Sequence, residues 1–256
     1  MYTANRVFLW SGVTYGPVRS RRLGLSLGVN VLPAGRKVCT FDCPYCECGF
    51  TRGGSSVSST LPDADTVLAA LGDALKAYGE QLDAITFAGN GEPTLHPELA
   101  HIAEATKALR DRLAPKASIS LLTNGIRLAD LRLRESLLGS MNDVQVKLDA
   151  GTPETFARVA APTVPWRLED HVNLLKSLGD RVTVQSLLYG PEHLGNIGVE
   201  DLRGMVRIIE EAQPRRVALY TLDRDPALEG LQPASRDTLA FVRDQLEGVG
   251  VQAEVY

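Results

Sequence analysis

No stretch of about 18 apolar residues occurs anywhere in the 256 residues, which excludes a membrane-spanning helix. The opening residues, MYTANRVFLWSGVTYG, carry one arginine and a short apolar patch, without the layout of a secretory signal. There is no fixed-period repeat, no heptad pattern and no composition break that would mark a second domain. Cysteine is absent from residues 1–38 and from everything beyond residue 48. Structural disulfides would be spread out to close long loops, so a disulfide framework is excluded as well. What remains is ordinary: 44% hydrophobic and 23% charged residues, as in a cytoplasmic globular protein.

The net charge of −4 hides an uneven distribution. Residues 1–52 hold seven basic groups (Arg6, Arg19, Arg21, Arg22, Arg36, Lys37, Arg52) against Asp42 and Glu47. That is a local +5, leaving −9 for the other 204 residues. Such a segment is either a solvated basic arm or a surface that meets something anionic.

From residue 61 helical and strand patterns alternate. Thr66–Tyr78 has helical apolar spacing with Asp63 as a cap. Glu98–Arg112, Leu128–Leu138, Pro153–Arg158, Leu168–Leu178, Val199–Ala212 and Ser235–Leu246 also read as helices. Strands are expected at Leu25–Leu32, Leu82–Ala88, Ala117–Leu122, Asp143–Leu148, Arg181–Leu188 and Arg215–Leu222, with Val249–Val255 as a last candidate. Strands alternating with helices imply parallel pairing through right-handed crossovers. Six such units fall short of a closed eightfold barrel, so the expected architecture is α/β, a partial (β/α)6 TIM-like barrel in a single domain; a doubly wound sheet is the rival. The domain spans 1–256, with 1–24 as an N-terminal basic arm and 39–60 as a cysteine loop running into a Gly/Ser-rich loop, TRGGSSVSST. In either architecture chemistry gathers at the carboxyl ends of the strands. Each expected strand end here carries polar or glycine residues: the cysteines, Gly89–Pro93, Thr123–Gly125, Lys147–Gly151, Gln185 and Ser186, and Tyr220 to Arg224.

All four cysteines lie within ten residues, in Cys39-Thr-Phe-Asp-Cys43-Pro-Tyr-Cys46-Glu-Cys48. Cys43 and Cys46 have the C-x2-C spacing that lets two thiolates share one metal ion or one cluster face, and Cys39 adds a third. Three thiolates can satisfy three irons of a [4Fe–4S] cube and leave the fourth iron open. Structural zinc, a four-cysteine electron carrier that includes Cys48, and a dithiol redox pair are the alternatives. His96 and His101 are off one helical face for a metal pair, and Asp42 suits an Asx-type cap on the loop.

C-x3-C-x2-C with the aromatic Tyr45 before the last cysteine resembles the signature of the radical S-adenosylmethionine superfamily. The segments YGPVRSRRLGLSLGVNVLP, FAGNGEPTLHP, LLTNG and VKLDAG are similar to the branch related to the wyosine tRNA synthases. The resemblance implies a [4Fe–4S] cluster held by Cys39, Cys43 and Cys46 and chelated by S-adenosyl-L-methionine. It implies Gly89, Asn90, Gly91 and Glu92 beside the cofactor's amino group, and Thr123 and Asn124 near its methionine or ribose. Lys147 and Asp149 would face its ribose or carboxylate, and Tyr45, Gln185 and Tyr220 would lie around the adenine. Reductive cleavage would release a 5′-deoxyadenosyl radical, the electron coming from a donor such as flavodoxin or ferredoxin. The wyosine synthases use further cysteines ahead of this motif, which residues 1–38 lack, so their particular reaction is not carried over. A small molecule, a nucleotide or a tRNA are the candidate substrates, the last suited to Arg19–Arg22.

Overall fold

The computed structural model describes residues 8–51 and 61–256; the Gly/Ser-rich expectation at 52–60 lies outside them. In chain order the elements are β1 (Thr14–Ser20), β2 (Gly24–Val29), α1 (Ala64–Tyr78), β3 (Ala84–Phe87), α2 (Leu99–Leu113), β4 (Ser118–Thr123), α3 (Leu131–Ser140), β5 (Asp143–Lys147), α4 (Pro153–Val159), α5 (Leu168–Leu178), β6 (Thr183–Gly190), α6 (Val199–Ala212), β7 (Arg216–Thr221), β8 (Gln232–Pro233), α7 (Arg236–Gly248) and β9 (Ala253–Val255). The main sheet follows the order β1-β2-β3-β4-β5-β6-β7-β9. Every pairing from β2 to β9 along it is parallel. A doubly wound sheet reverses its strand order at a switch point. This one never does, so the sheet curls into a half-barrel with helices on its outer face.

The residues expected to form a basic arm instead supply β1, which pairs antiparallel with β2. An edge strand tolerates proline, and the register shifts between Tyr15 and Val18, around Gly16-Pro17. The ring of Tyr15 lies against Gly28, where a Cβ would come within 2.0 Å of it. The expected cap is present: the side chain of Asp63 accepts from the amide of Thr66 at 2.8 Å. α3 begins later than expected because Ile126–Ala129 is a separate 3-10 turn, after which Asp130 caps the helix.

Parallel strands covered on both faces usually read as unbroken apolar runs. Here alternate positions are polar: Ser26, Thr86, Ser120, Gln145, Lys147, Gln185 and Tyr220 alternate with Leu27, Phe87, Leu121, Val146, Val184 and Leu219. The apolar set is buried under the helices. Much of the polar set, including Ser26, Thr86, Lys147 and Gln185, lines a cavity of about 450 Å³ inside the half-barrel. Ser26 and Thr86 satisfy each other across neighbouring strands, with hydroxyls 2.6 Å apart.

Candidate active site

The cysteine loop leaves the carboxyl end of β2 and is held by backbone on several sides. The Val38 amide donates to the Asn90 carbonyl and the Glu92 amide to the Val38 carbonyl, both at 2.9 Å. Gly91 has φ +132, and a Cβ there would sit 1.9 Å from the Val38 carbonyl oxygen. Only glycine lets the loop come this close. Farther along, the Asp42 amide donates to the carbonyls of Ala160 and Ala161 at 3.0 Å, and the Leu228 amide donates to the Pro44 carbonyl at 2.8 Å. The ring of Phe41 packs edge-on against Phe156.

Lys37 is buried, and its ammonium donates to the Gly49 carbonyl at 2.9 Å and to Asp42 at 3.3 Å. Burial works against its charge, but the nearby Cys46, Cys39, Cys43 and Asp42 outweigh it and hold its pKa above the usual lysine value. Asp42 in turn accepts from the Thr51 amide at 2.7 Å, the loop-capping role its position suggested. Burial raises the Cys39 thiol and pushes Cys43 up to about 11. Cys46 is pulled down to about 6, first by a hydrogen bond from Cys48, with Lys37 adding to it. The Sγ of Cys48 also reaches the Gly89 carbonyl at 3.3 Å. All four thiols are free and line the one cavity.

Glu92 is 2% exposed, and its carboxylate is fully engaged. Oε1 accepts from the hydroxyls of Thr94 and Thr123 at 2.6 Å and from the Thr94 amide at 3.1 Å; Oε2 accepts from the Asn124 amide at 2.7 Å. It therefore ties the end of β3 to the end of β4. Burial raises its pKa, with these four donors opposing. Asn124 donates to the Thr40 hydroxyl at 2.8 Å and lies 3.8 Å from the Cys39 sulfur. On the other side Lys147 donates to the Tyr220 hydroxyl at 3.0 Å and pairs with Asp149 at 3.1 Å. Its ammonium stands over the Tyr45 ring, 4.9 Å from the centroid. Burial disfavours that charge, yet Asp149 and then Tyr220 leave its pKa above the usual value.

Of the expected site residues, Cys39, Cys43, Cys46, Tyr45, Gly89, Gly91, Glu92, Thr123, Asn124, Lys147, Gln185 and Tyr220 line the cavity. Asn90 and Asp149 do not. The Asn90 side chain is turned to backbone: it accepts from the Trp10 amide and donates to the Trp10 and Pro33 carbonyls, each at 2.8 Å. Asp149 lies beneath the wall, accepting from the Tyr45 hydroxyl and from the Leu187 amide at 2.8 Å. Arg19–Arg22, which the sequence offered as a patch for an anionic substrate, also line the cavity, whereas sequence reasoning missed Tyr15, whose signal was adjacency to the first strand. It also missed His171, which is fully buried and holds the Lys147 carbonyl through Nε2 at 2.6 Å. His96 is structural, bonded through Nε2 to the Pro62 carbonyl at 2.8 Å, and His101 is exposed.

The donor set fits an iron–sulfur cluster. Three thiols on one loop face a shared cavity, with a buried cation behind them to balance anionic sulfur. Among the described residues no three His, Cys, Asp or Glu side chains gather as they would around one metal ion. A cube takes each thiolate on a separate iron, so its ligands need not converge on a point.

A half-barrel of parallel strands whose first loop carries clustered thiols, above a polar interior, is an enzyme scaffold built around a cofactor. Residues 37–194 match the Radical SAM superfamily, and the chain belongs to that family. The family's cofactors are a [4Fe–4S] cluster and S-adenosyl-L-methionine. A protein of Brachyspira hyodysenteriae named GTPase Obg is 30% identical over 218 residues, 82% of this chain but 30% of that longer protein. A UPF0026 protein of Helicobacter pylori is 27% identical over 83% of this chain and 67% of its own length. UPF0026 protein slr1464 of Synechocystis is 33% identical over 69% of this chain and 64% of its own. The fold is similar to a radical SAM methyltransferase from Sphaerobacter thermophilus (TM-score 0.66, 16% identity, 90% of this chain and 65% of that one). It is also similar to SuiB of Streptococcus suis bound to S-adenosylmethionine (TM-score 0.65, 13% identity, 90% and 50%). No helix among the described residues is long and apolar enough to cross a membrane.

Proposed function

We propose that the protein is a cytoplasmic enzyme in which Cys39, Cys43 and Cys46 hold a [4Fe–4S] cluster and the cavity beside them holds S-adenosyl-L-methionine and a substrate. The observation that carries this reading is that the three thiols open into the same cavity as Gly89, Gly91, Glu92, Thr123 and Asn124. When bound, the two cofactors supply a 5′-deoxyadenosyl radical that removes a hydrogen atom from the substrate. The chain's own residues bind and orient. Gly89 and Gly91 bring backbone to the cofactor's amino group, with Glu92 beside it and fixing Thr123 and Asn124. Lys147 offers a cation to the cofactor's carboxylate or ribose, and Asp149 keeps that cation charged and placed. Tyr45, Gln185 and Tyr220 form the wall that receives the adenine. An external donor, a flavodoxin or ferredoxin, supplies the electron.

The test is anaerobic reconstitution followed by dithionite reduction. About four irons per chain and 5′-deoxyadenosine from S-adenosylmethionine are expected. Cys39→Ala, Cys43→Ala and Cys46→Ala should each lose the cluster, whereas Cys48→Ala should keep it. A full cluster that never cleaves S-adenosylmethionine would sink the proposal. A tRNA-modifying reaction of the wyosine type is the second reading, favoured by the exposed Arg19 and Arg21 at the edge of the cavity.

A further inference from the structure

The cavity has a second lining, of arginines, to which no cofactor role is given, although one of them rests on Gln185 and Tyr220 of the adenine wall. Around the turn between β1 and β2 it is reached by arginines: Arg19, Arg21, Arg22 and, from beyond β7, Arg224. Two of them stand beside carboxylates. Arg21 stands 3.7 Å from Asp223, and Arg224 is 2.7 Å from Glu47. Arg22 differs in kind. It is half-buried, and among the described residues no carboxylate pairs with it. Its Nη1 donates to the Oε1 atoms of Gln145 and Gln185, at 3.1 and 3.0 Å, and its Cζ stands 4.2 Å from the centroid of the Tyr220 ring. Both amides are oriented from behind. Gln145 Nε2 donates to Asp143 at 2.8 Å and Gln185 Nε2 to the Gln145 carbonyl at 3.1 Å, which turns both oxygens to the guanidinium.

Neutral acceptors and an aromatic face fix a guanidinium without cancelling its charge. Partly shielded from water, such a charge favours an anion. The Nη2 and Nε donors of Arg22 meet no acceptor among the described residues, so three N–H groups remain for a ligand. We propose that Arg22 anchors an oxyanionic group, a phosphate or a carboxylate, carried by the substrate. A planar fork on such a group is the strong form of this contact and a lysine is a weaker substitute. The inference rests on the reading of the cysteine end as the cofactor site, because that reading leaves the arginine end to the substrate.

Inorganic phosphate and succinate are titrated separately, by calorimetry, into cluster-loaded protein and its R22Q and R22K variants; S-adenosylmethionine affinity is measured on all three. At least one of the two anions should bind the unmodified protein. R22Q should weaken that binding by about tenfold and R22K by less, the loss expected for one charge-assisted contact. S-adenosylmethionine affinity should fall by less than the anion's, because Arg22 touches the adenine wall only through Gln185 and Tyr220. Phosphate alone marks a phosphorylated substrate, succinate alone a carboxylate. Binding of neither anion, or anion binding equal in R22Q and the unmodified protein, overturns the proposal. So does an S-adenosylmethionine affinity that falls as far as the anion's or farther, which would assign Arg22 to the cofactor. If R22Q does not fold, R22K decides: weaker anion binding supports the proposal and unchanged binding overturns it. The two readings fail separately. Absence of 5′-deoxyadenosine removes the cofactor reading and leaves the titration standing, whereas an anion that ignores Arg22 removes only this one.

Discussion

Asp149 shows how one residue can matter to a site it does not line. Its two oxygens serve Lys147, Tyr45 and the Leu187 amide, so one carboxylate fixes an ammonium and an aromatic wall at once. Replacing it with asparagine leaves a nearly buried ammonium without its counterion. Asp149→Asn should therefore cost about 3 kcal/mol in denaturant unfolding, and adding Lys147→Met should return part of it. A cost within experimental error would mean that Tyr220 alone satisfies Lys147. The chemistry of the carboxylates was legible as a strand-end pattern. Their direction was not: Glu92 and Asp149 both lie within a polar tag, yet one faces the cavity and the other its underside. Asn90 looked like a ligand for the same reason. Its amide has donor and acceptor together, which is also what a backbone peptide such as that of Trp10 requires.

At the scale of elements, alternation of strand and helix was readable because helical and extended periods differ along most of the chain. α5 and α6 stand where the spacing places them, at Leu168–Leu178 and Val199–Ala212. β1 was not readable: Thr14–Ser20 contains Gly16-Pro17 and lacks an apolar alternation, and its pairing depends on contacts with β2 rather than on its own residues. The docking of the cysteine loop on the β3 end depends on a single backbone approach, and this is testable. Gly91→Ala should destabilise the protein by more than about 2 kcal/mol and speed hydrogen exchange at the Val38 and Glu92 amides. Gly35→Ala, on the segment that leads into the cysteine loop and with nothing within 4 Å of a new Cβ, should change stability by less than about 0.5 kcal/mol. Equal effects at both positions would refute the role given to Gly91.

For the whole molecule, acid sensitivity follows from His171. Burial lowers its pKa, opposed by its bond to the Lys147 carbonyl and by Asp149. The folded protein keeps the ring neutral where the unfolded chain, with an ordinary value of about 6.5, begins to take up a proton. The unfolded state then binds more protons, so this stabilisation is complete above about pH 6.5 and is lost as pH falls below it. Unfolding free energies at pH 7.5 and 5.5 should differ in that direction, and His171→Gln should shrink the difference; an unchanged slope would clear His171. The strand order has a consequence in time as well. Each parallel strand pairs with its predecessor in the chain, so the barrel can assemble as the polypeptide lengthens. The cysteine loop cannot keep that schedule: its backbone partners include Ala160, Ala161 and Leu228, more than a hundred residues later. During synthesis the thiols therefore emerge first and wait. Until those partners are made the loop has no wall to dock on, so the thiol end of the cavity is completed only after most of the chain.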